Sequence, residues 1–201
     1  MTSTKAIFFD LDGTLLRFDR PYRELLAETF TAVAGEVREA WLEQYSNAFF
    51  ELFGACEPKP VARAFASIDV PSRPAALAEE LHRRERAACQ PPEAVHDDLD
   101  RLSETYALGV LTNGLPEWQR AKLREHGLER HFDVVVATYE VGVHKPDVAP
   151  FRVAEERLPA RAYAMVGDAD ADVEGANAAG WGAYRYTGSG FGELPGTLDW
   201  G

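Results

Sequence analysis

Asp10 and Asp12 are the two residues in this sequence most suited to chemistry. They stand two positions apart, directly after the apolar run Ala6-Ile7-Phe8-Phe9. A buried strand that ends in two carboxylates cannot place both in a core without a cation or donors. The following Asp12-Gly13 step lets the chain turn sharply and present backbone N–H groups, which can hold an anion such as phosphate. A strand followed by an ordinary Asp-Gly turn is the alternative reading. Other polar residues sit at comparable places. Thr112-Asn113-Gly114 follows the apolar stretch from Ala107 to Leu111. Lys145 precedes Pro146. Asp168 follows Met165-Val166-Gly167, with Asp170 and Asp172 close behind. Each has a plainer reading: Thr112 as a helix cap, Lys145 as a solvated loop residue, the later aspartates as caps favouring a helix dipole.

The elements needed to bring these residues together are legible in the hydrophobic pattern. A short apolar strand covers 5–9. From Pro21 to about Ala88 the apolar residues recur at helical spacing, as in Leu25, Leu26, Phe30 and Val33, or Trp41, Leu42, Tyr45 and Phe49. Prolines at 58, 60, 71 and 74 punctuate this block, which reads as about four helices and no strand. Beyond Pro91-Pro92 the pattern alternates. Helices are expected at 93–104, 116–126, 147–157 and 172–179. Strands are expected at 107–111, 134–137, 162–166 and 183–186. Gly127 and Gly180 stop two of the helices, and the tail from Gly188 reads as irregular. Strand–helix alternation implies a parallel sheet with helices on both faces. In such sheets ligands bind beyond the carboxyl ends of the strands. Asp10, Thr112 and Asp168 are all expected there.

These motifs resemble those of the haloacid dehalogenase-like hydrolase superfamily, in the same order. Asp10-Leu11-Asp12-Gly13-Thr14-Leu15 is similar to its first motif and Leu111-Thr112-Asn113-Gly114 to its second. Lys145-Pro146 is similar to the third, and Val166-Gly167-Asp168 with Asp172-Val173-Glu174-Gly175-Ala176 to the fourth. The resemblance implies an α/β, Rossmann-like core formed by residues 1–16 and 92–201. It also implies an α-helical cap of residues 17–91 inserted between the first two motifs. It implies a phosphatase that hydrolyses small-molecule phosphate monoesters through an aspartyl-phosphate on Asp10, with Asp12 as general acid and base. Lys145 would neutralise charge on Asp10 and the phosphate, and Gly13, Thr14, Thr112 and Asn113 would bind the phosphoryl group. Mg²⁺ would be held by Asp10, Asp12 through its backbone carbonyl, and Asp168, with Asp172 acting through water or by orienting neighbours. Asp12 is the discriminating residue, because dehalogenases and phosphonatases of the superfamily lack an acid there. A phosphomutase, a 2-haloacid dehalogenase and a catalytically silent binding protein are the alternatives. Local motifs are most similar to pyrimidine 5'-nucleotidases and N-acylneuraminate-9-phosphatases, with phosphoglycolate phosphatases near. Arg17, Phe18 and Arg20 are candidates for contact with substrate, with Phe18 reading rather as packing at the cap hinge. His144 and Asp170 carry no expected role.

The remaining composition narrows the partners. The chain has 201 residues and a formal charge of -12, with 4 lysines against 17 arginines. That charge disfavours nucleic acid and anionic membranes, and it suits a high-salt cytoplasm. No apolar run reaches the ~20 residues of a membrane span. Residues 1–5 lack the pattern of a signal peptide, so a cytoplasmic monomer or homodimer acting on a small phosphate ester is expected. Cys56 and Cys89 fall in helical patterns without metal-ligand spacing and read as buried free thiols.

Overall fold

The computed structural model describes residues 5–188, 190–198 and 200. The chain divides into two compact units, Met1–Arg17 with Gln90–Gly201, and Phe18–Cys89.

The first unit is built on strand β1 (Ala6–Phe9), whose four residues are fully buried. An all-apolar strand must be covered on both faces. It therefore lies at the centre of a five-stranded parallel sheet. β4 (Ala107–Thr112) and then β5 (Val134–Ala137) lie on one side of it. β6 (Tyr163–Gly167) and then β7 (Gly182–Arg185) lie on the other. The chain builds outward from β1 in one direction, then returns to build in the other. β1 thus borders a topological switch point, where open sheets of this class bind ligands. In register, Phe9 stands opposite both Val110 and Val166. Asp10, Thr112 and Asp168 consequently emerge within one or two residues of each other at the same sheet edge.

Helices α5 (Val95–Ser103), α6 (Pro116–Glu125), α7 (Ala149–Arg157) and α8 (Asp170–Ala179) supply the crossovers. Proline opens α6 at its first position, and Gly180 closes α8 in the left-handed region at φ 79°. Trp181 packs between Phe8 and Phe151, each about 5.1 Å away by ring centroids. The tail beyond 188 forms turns, as expected, but it is not loosely attached. Phe191 and Leu194 are buried, and Phe191 meets Phe9 edge-on at 5.2 Å. Asp98 accepts the Phe191 N–H, while Arg101 donates to the Phe191 and Leu194 carbonyls.

The second unit contains α1 (Tyr22–Ala34), α2 (Glu39–Gly54), α3 (Pro60–Ala66) and α4 (Pro74–Ala88). Its core is aromatic. Phe30 contacts Trp41 and Phe65, and Tyr45 lies 4.3 Å from Phe65. Two features were not expected. Two-residue strands β2 (Arg17–Phe18) and β3 (Cys89–Gln90) pair with each other. Cys89 is therefore a buried strand residue, whereas Cys56 follows α2 in a left-handed conformation and is only partly buried; the two do not form a disulfide. Residues 1–4, read above against a signal peptide, lie outside the described residues. No helix among the described residues is long and apolar enough to cross a membrane.

Candidate active site at the carboxyl edge of the sheet

The site begins with Asp10, the first residue past β1. It is 7% exposed, and its Oδ1 accepts a hydrogen bond of 2.8 Å from Lys145 Nζ. Asp168 occupies the same position after β6. Its Oδ1 accepts from the buried Thr14 hydroxyl at 3.0 Å. Asp172 lies in the first turn of α8 and is 1% exposed. One of its oxygens accepts from Lys145 Nζ at 2.5 Å, and the other accepts the Ala169 N–H at 3.0 Å. Oxygens of Asp10, Asp168 and Asp172 all lie within 4.8 Å of one another.

Three carboxylates in so small a space repel each other, and burial adds to the cost of charging them. The effect is visible at Asp10. Burial pushes its pKa up to about 7, against the pull of Lys145 and with a further push from Asp172. For the Lys145 ammonium, burial works toward neutrality. Asp10 and Asp172 together outweigh it and hold the pKa above the ordinary 10.5. Its three protons are all committed, to Asp10, to Asp172 and to the Leu111 carbonyl at 2.6 Å. The donors fit a hard divalent cation. They are carboxylate oxygens with excess negative charge, and Asp10 Oδ2 has no protein donor among the described residues.

Thr112 ends β4 and is 1% exposed; its hydroxyl oxygen accepts from Gln119 Nε2 at 2.8 Å. Beside these residues lies a cavity of about 130 Å³ bordered by Asp10, Asp12, Thr112, Asn113, Lys145 and Asp172. Small-molecule sites usually run to about 300–1,000 Å³, so this cavity has room for a phosphoryl-sized head and little more.

Gly13 and Thr14 were expected to bind the phosphoryl group. Their amides donate to the carbonyls of Leu16 and Leu11, closing the turn on itself. Gly13 is needed for two other reasons. Its φ is +100°, and a Cβ there would lie 2.4 Å from Asp168 Oδ2. Thr14 orients Asp168. Among the described residues, the Leu11 and Asp12 N–H groups meet no backbone acceptor. The Asn113 side chain clasps the backbone of Lys145, accepting its N–H at 2.9 Å and donating to its carbonyl at 3.2 Å. That arrangement positions the lysine. His144 bonds Thr138 at 2.8 Å through Nδ1, and exposed Asp170 pairs with Arg185. Arg17 donates to the Gly13 carbonyl at 3.4 Å and lies over the Tyr186 ring, whereas Arg20 pairs with Asp19 and Glu28.

Residues 4–180 match the family described as haloacid dehalogenase-like hydrolase. The chain belongs to that family. Among curated relatives, phosphoserine phosphatase of Thermus thermophilus is 32% identical, over 88% of this chain and 86% of its own. The pyrimidine 5'-nucleotidase YjjG of Escherichia coli is 29% identical, over 87% and 82%. A 2-haloacid dehalogenase from Pseudomonas syringae shares the fold, with a TM-score of 0.66 and 27% identity over 91% of this chain and 86% of that one. Membership makes the chain a hydrolase of this family. The same fold therefore serves both ester and carbon–halogen chemistry, and the site residues must separate them.

Sequence reasoning missed two polar residues of the site. Lys122, 3% exposed, donates to both Asp12 oxygens at 2.9 and 3.1 Å. Gln119, 2% exposed, donates to Asp12 Oδ2 at 2.8 Å. Both lie one turn apart on the face of α6 that also buries Leu123. The available signal was a lysine at a core-facing position of an amphipathic helix, in a chain with only four.

Proposed function

We propose that this protein is a magnesium-dependent phosphatase of small-molecule phosphate monoesters. The observation that carries the reading is Asp10. It is a buried carboxylate beside two further aspartates and an ion-paired lysine, with a second acid two residues on. Asp10 attacks phosphorus, and the bond from phosphorus to the ester oxygen breaks. Asp12 gives a proton to the departing alkoxide. The resulting aspartyl-phosphate is then hydrolysed. Asp12 takes a proton from the attacking water, the bond from phosphorus to Asp10 breaks, and phosphate and the free carboxylate are restored. Thr112 donates its hydroxyl proton to a phosphoryl oxygen, and the Leu11 and Asp12 amides are placed to do the same. Lys145, oriented by Asn113, keeps Asp10 partly neutralised before substrate arrives.

Asp10 and Asp168, with the Asp12 carbonyl, are the residues that would hold Mg²⁺; Asp172 adds charge and grips Lys145. When bound, the ion offsets the charge of the carboxylates and of the phosphoryl oxygens. We read the Phe18–Cys89 unit as the helical cap that the family resemblance implies. The names of the relatives, a phosphoserine phosphatase and a pyrimidine nucleotidase, point to a small alkyl ester.

Asp12 argues against the dehalogenase reading despite the shared fold, since halide departs without a proton. The test is a panel of phosphate monoesters assayed with Mg²⁺, with EDTA, and with Asp10→Asn. The reading predicts phosphate release that both EDTA and the variant abolish. Release that survives either one, or halide release from 2-haloacids, refutes it.

A further inference from the structure

Lys122 carries its charge into a place where most side chains are apolar. It is nearly fully buried, on a helix face that otherwise packs Leu123 against the core. A buried ammonium must be desolvated, and a side chain of similar length without charge fills the same space at lower cost. Its partner is the less buried member of the pair, because the Asp12 side chain is 33% exposed. A carboxylate that exposed, on a turn, would sample several rotamers if nothing held it. Lys122 grips both of its oxygens, and Gln119 grips one of them. The other proton of the Gln119 amide goes to the Thr112 hydroxyl oxygen at 2.8 Å. Gln119 in turn lies against Gly114, where a Cβ would come within 2.6 Å of its side-chain amide. Helix α6 therefore reaches through one pair of side chains to the acid of the first motif and to the threonine of the second.

We propose that Lys122, assisted by Gln119, is a positioning residue for proton exchange with the leaving group. It fixes the direction of the Asp12 carboxylate relative to the cavity and ties that direction to the Thr112 hydroxyl. The proposal rests on the reading of Asp12 as general acid. Lys122 itself contacts neither substrate nor the phosphoryl group.

The consequence depends on the leaving group. An alkoxide departs only with a proton, whereas 4-nitrophenolate is stable and departs almost unaided. The test compares Lys122→Met and Gln119→Leu with the parent protein on two substrates with Mg²⁺. One is 4-nitrophenyl phosphate. The other is phosphoserine or a nucleoside 5'-monophosphate, whichever is turned over faster. For Lys122→Met, kcat/KM should fall about 10- to 100-fold on the alkyl ester, part of the 10²–10⁴ that a general acid supplies, and less than about threefold on the aryl ester. The melting temperature should hold or rise, since methionine carries no charge to desolvate. Combined with Asp12→Ala, the two losses on the alkyl ester should not multiply, because Lys122 acts through Asp12. Gln119→Leu should show the same substrate dependence with a smaller loss, and it serves as the test should Lys122→Met not fold. Equal losses on both esters, no loss on either, or multiplying losses overturn the proposal. Asp10→Asn is assayed alongside: if it still releases phosphate, the phosphatase mechanism fails first, independently of Lys122.

Discussion

Replacing Asp10 by asparagine should stabilise the metal-free protein, and by an amount that grows with pH. Burial and the Asp172 carboxylate together raise the pKa of Asp10 from the ordinary 3.8 to about 7, despite Lys145. The folded protein therefore keeps a proton that the unfolded chain gives up. Between those two values the folded state binds more protons, so stability falls as pH rises through the window. The full shift corresponds to about 4 kcal/mol, and the part already lost at pH 5 to about 2 kcal/mol. Asparagine cannot ionise and avoids that loss. At roughly 2–4 °C per kcal/mol for a chain of this size, Asp10→Asn should melt about 4–8 °C higher at pH 5 and about 8–16 °C higher at pH 8. The assay is thermal unfolding of both proteins in EDTA at pH 5, 6, 7 and 8. Saturating Mg²⁺ should then narrow the gap at pH 8, because the charged parent gains a counter-ion that the neutral variant needs less. A gap that stays constant from pH 5 to 8, or a variant less stable at pH 8, would refute the account of Asp10 as a carboxylate destabilised by its neighbours.

Other expectations follow from single contacts. Gly13→Ala forces a Cβ to within 2.4 Å of Asp168 Oδ2 at a φ of +100°; it should weaken Mg²⁺ binding and cut kcat at least about tenfold, read by metal titration and steady-state kinetics. His131 has its pKa lowered below 6.5 by burial, with Asp100 opposing and Arg130 and His96 adding to the shift. The folded protein resists a proton that the unfolded chain accepts, so stability should drop as pH falls below about 6.5. His131→Gln should flatten that part of the stability profile measured by denaturant melts. Phe30→Ala removes a ring packed against Trp41 and Phe65 and should cost about 3–5 kcal/mol in the Phe18–Cys89 unit, seen as local loss of amide protection.

The sheet was readable in the sequence because each strand is short and mostly apolar, and β1 and β6 run directly into an acid, Asp10 and Asp168. Asp10, Thr112 and Asp168 were placed correctly at one edge because parallel register follows from strand order. What escaped was whatever depends on side chains meeting from distant segments. β2 and β3 are two residues each and carry no pattern of their own. Lys122 and Gln119 share the buried face of α6 with Leu123, but sequence gives no partner for them until the helix is docked beside Asp12. Gly13 and Asn113 were expected to serve the phosphate because motif position gives no direction for an N–H or an amide. In the structure one turn closes on itself and the other side chain holds a backbone. The tail looked irregular and is, yet Phe191 is core.

The central place of β1 also bears on how the protein is made. Phe9 is synthesised well before its partner Val166. Roughly 150 residues separate them, which takes about 10–30 s to translate. The Phe18–Cys89 helices draw on nearby sequence and can collapse during that wait, whereas Ala6-Ile7-Phe8-Phe9 gains its first partner only with Ala107–Thr112 and its second only with Tyr163–Gly167. An all-apolar strand is thus left with an open edge through much of synthesis. Phe191, made later than either partner strand, closes over β1 at Phe9.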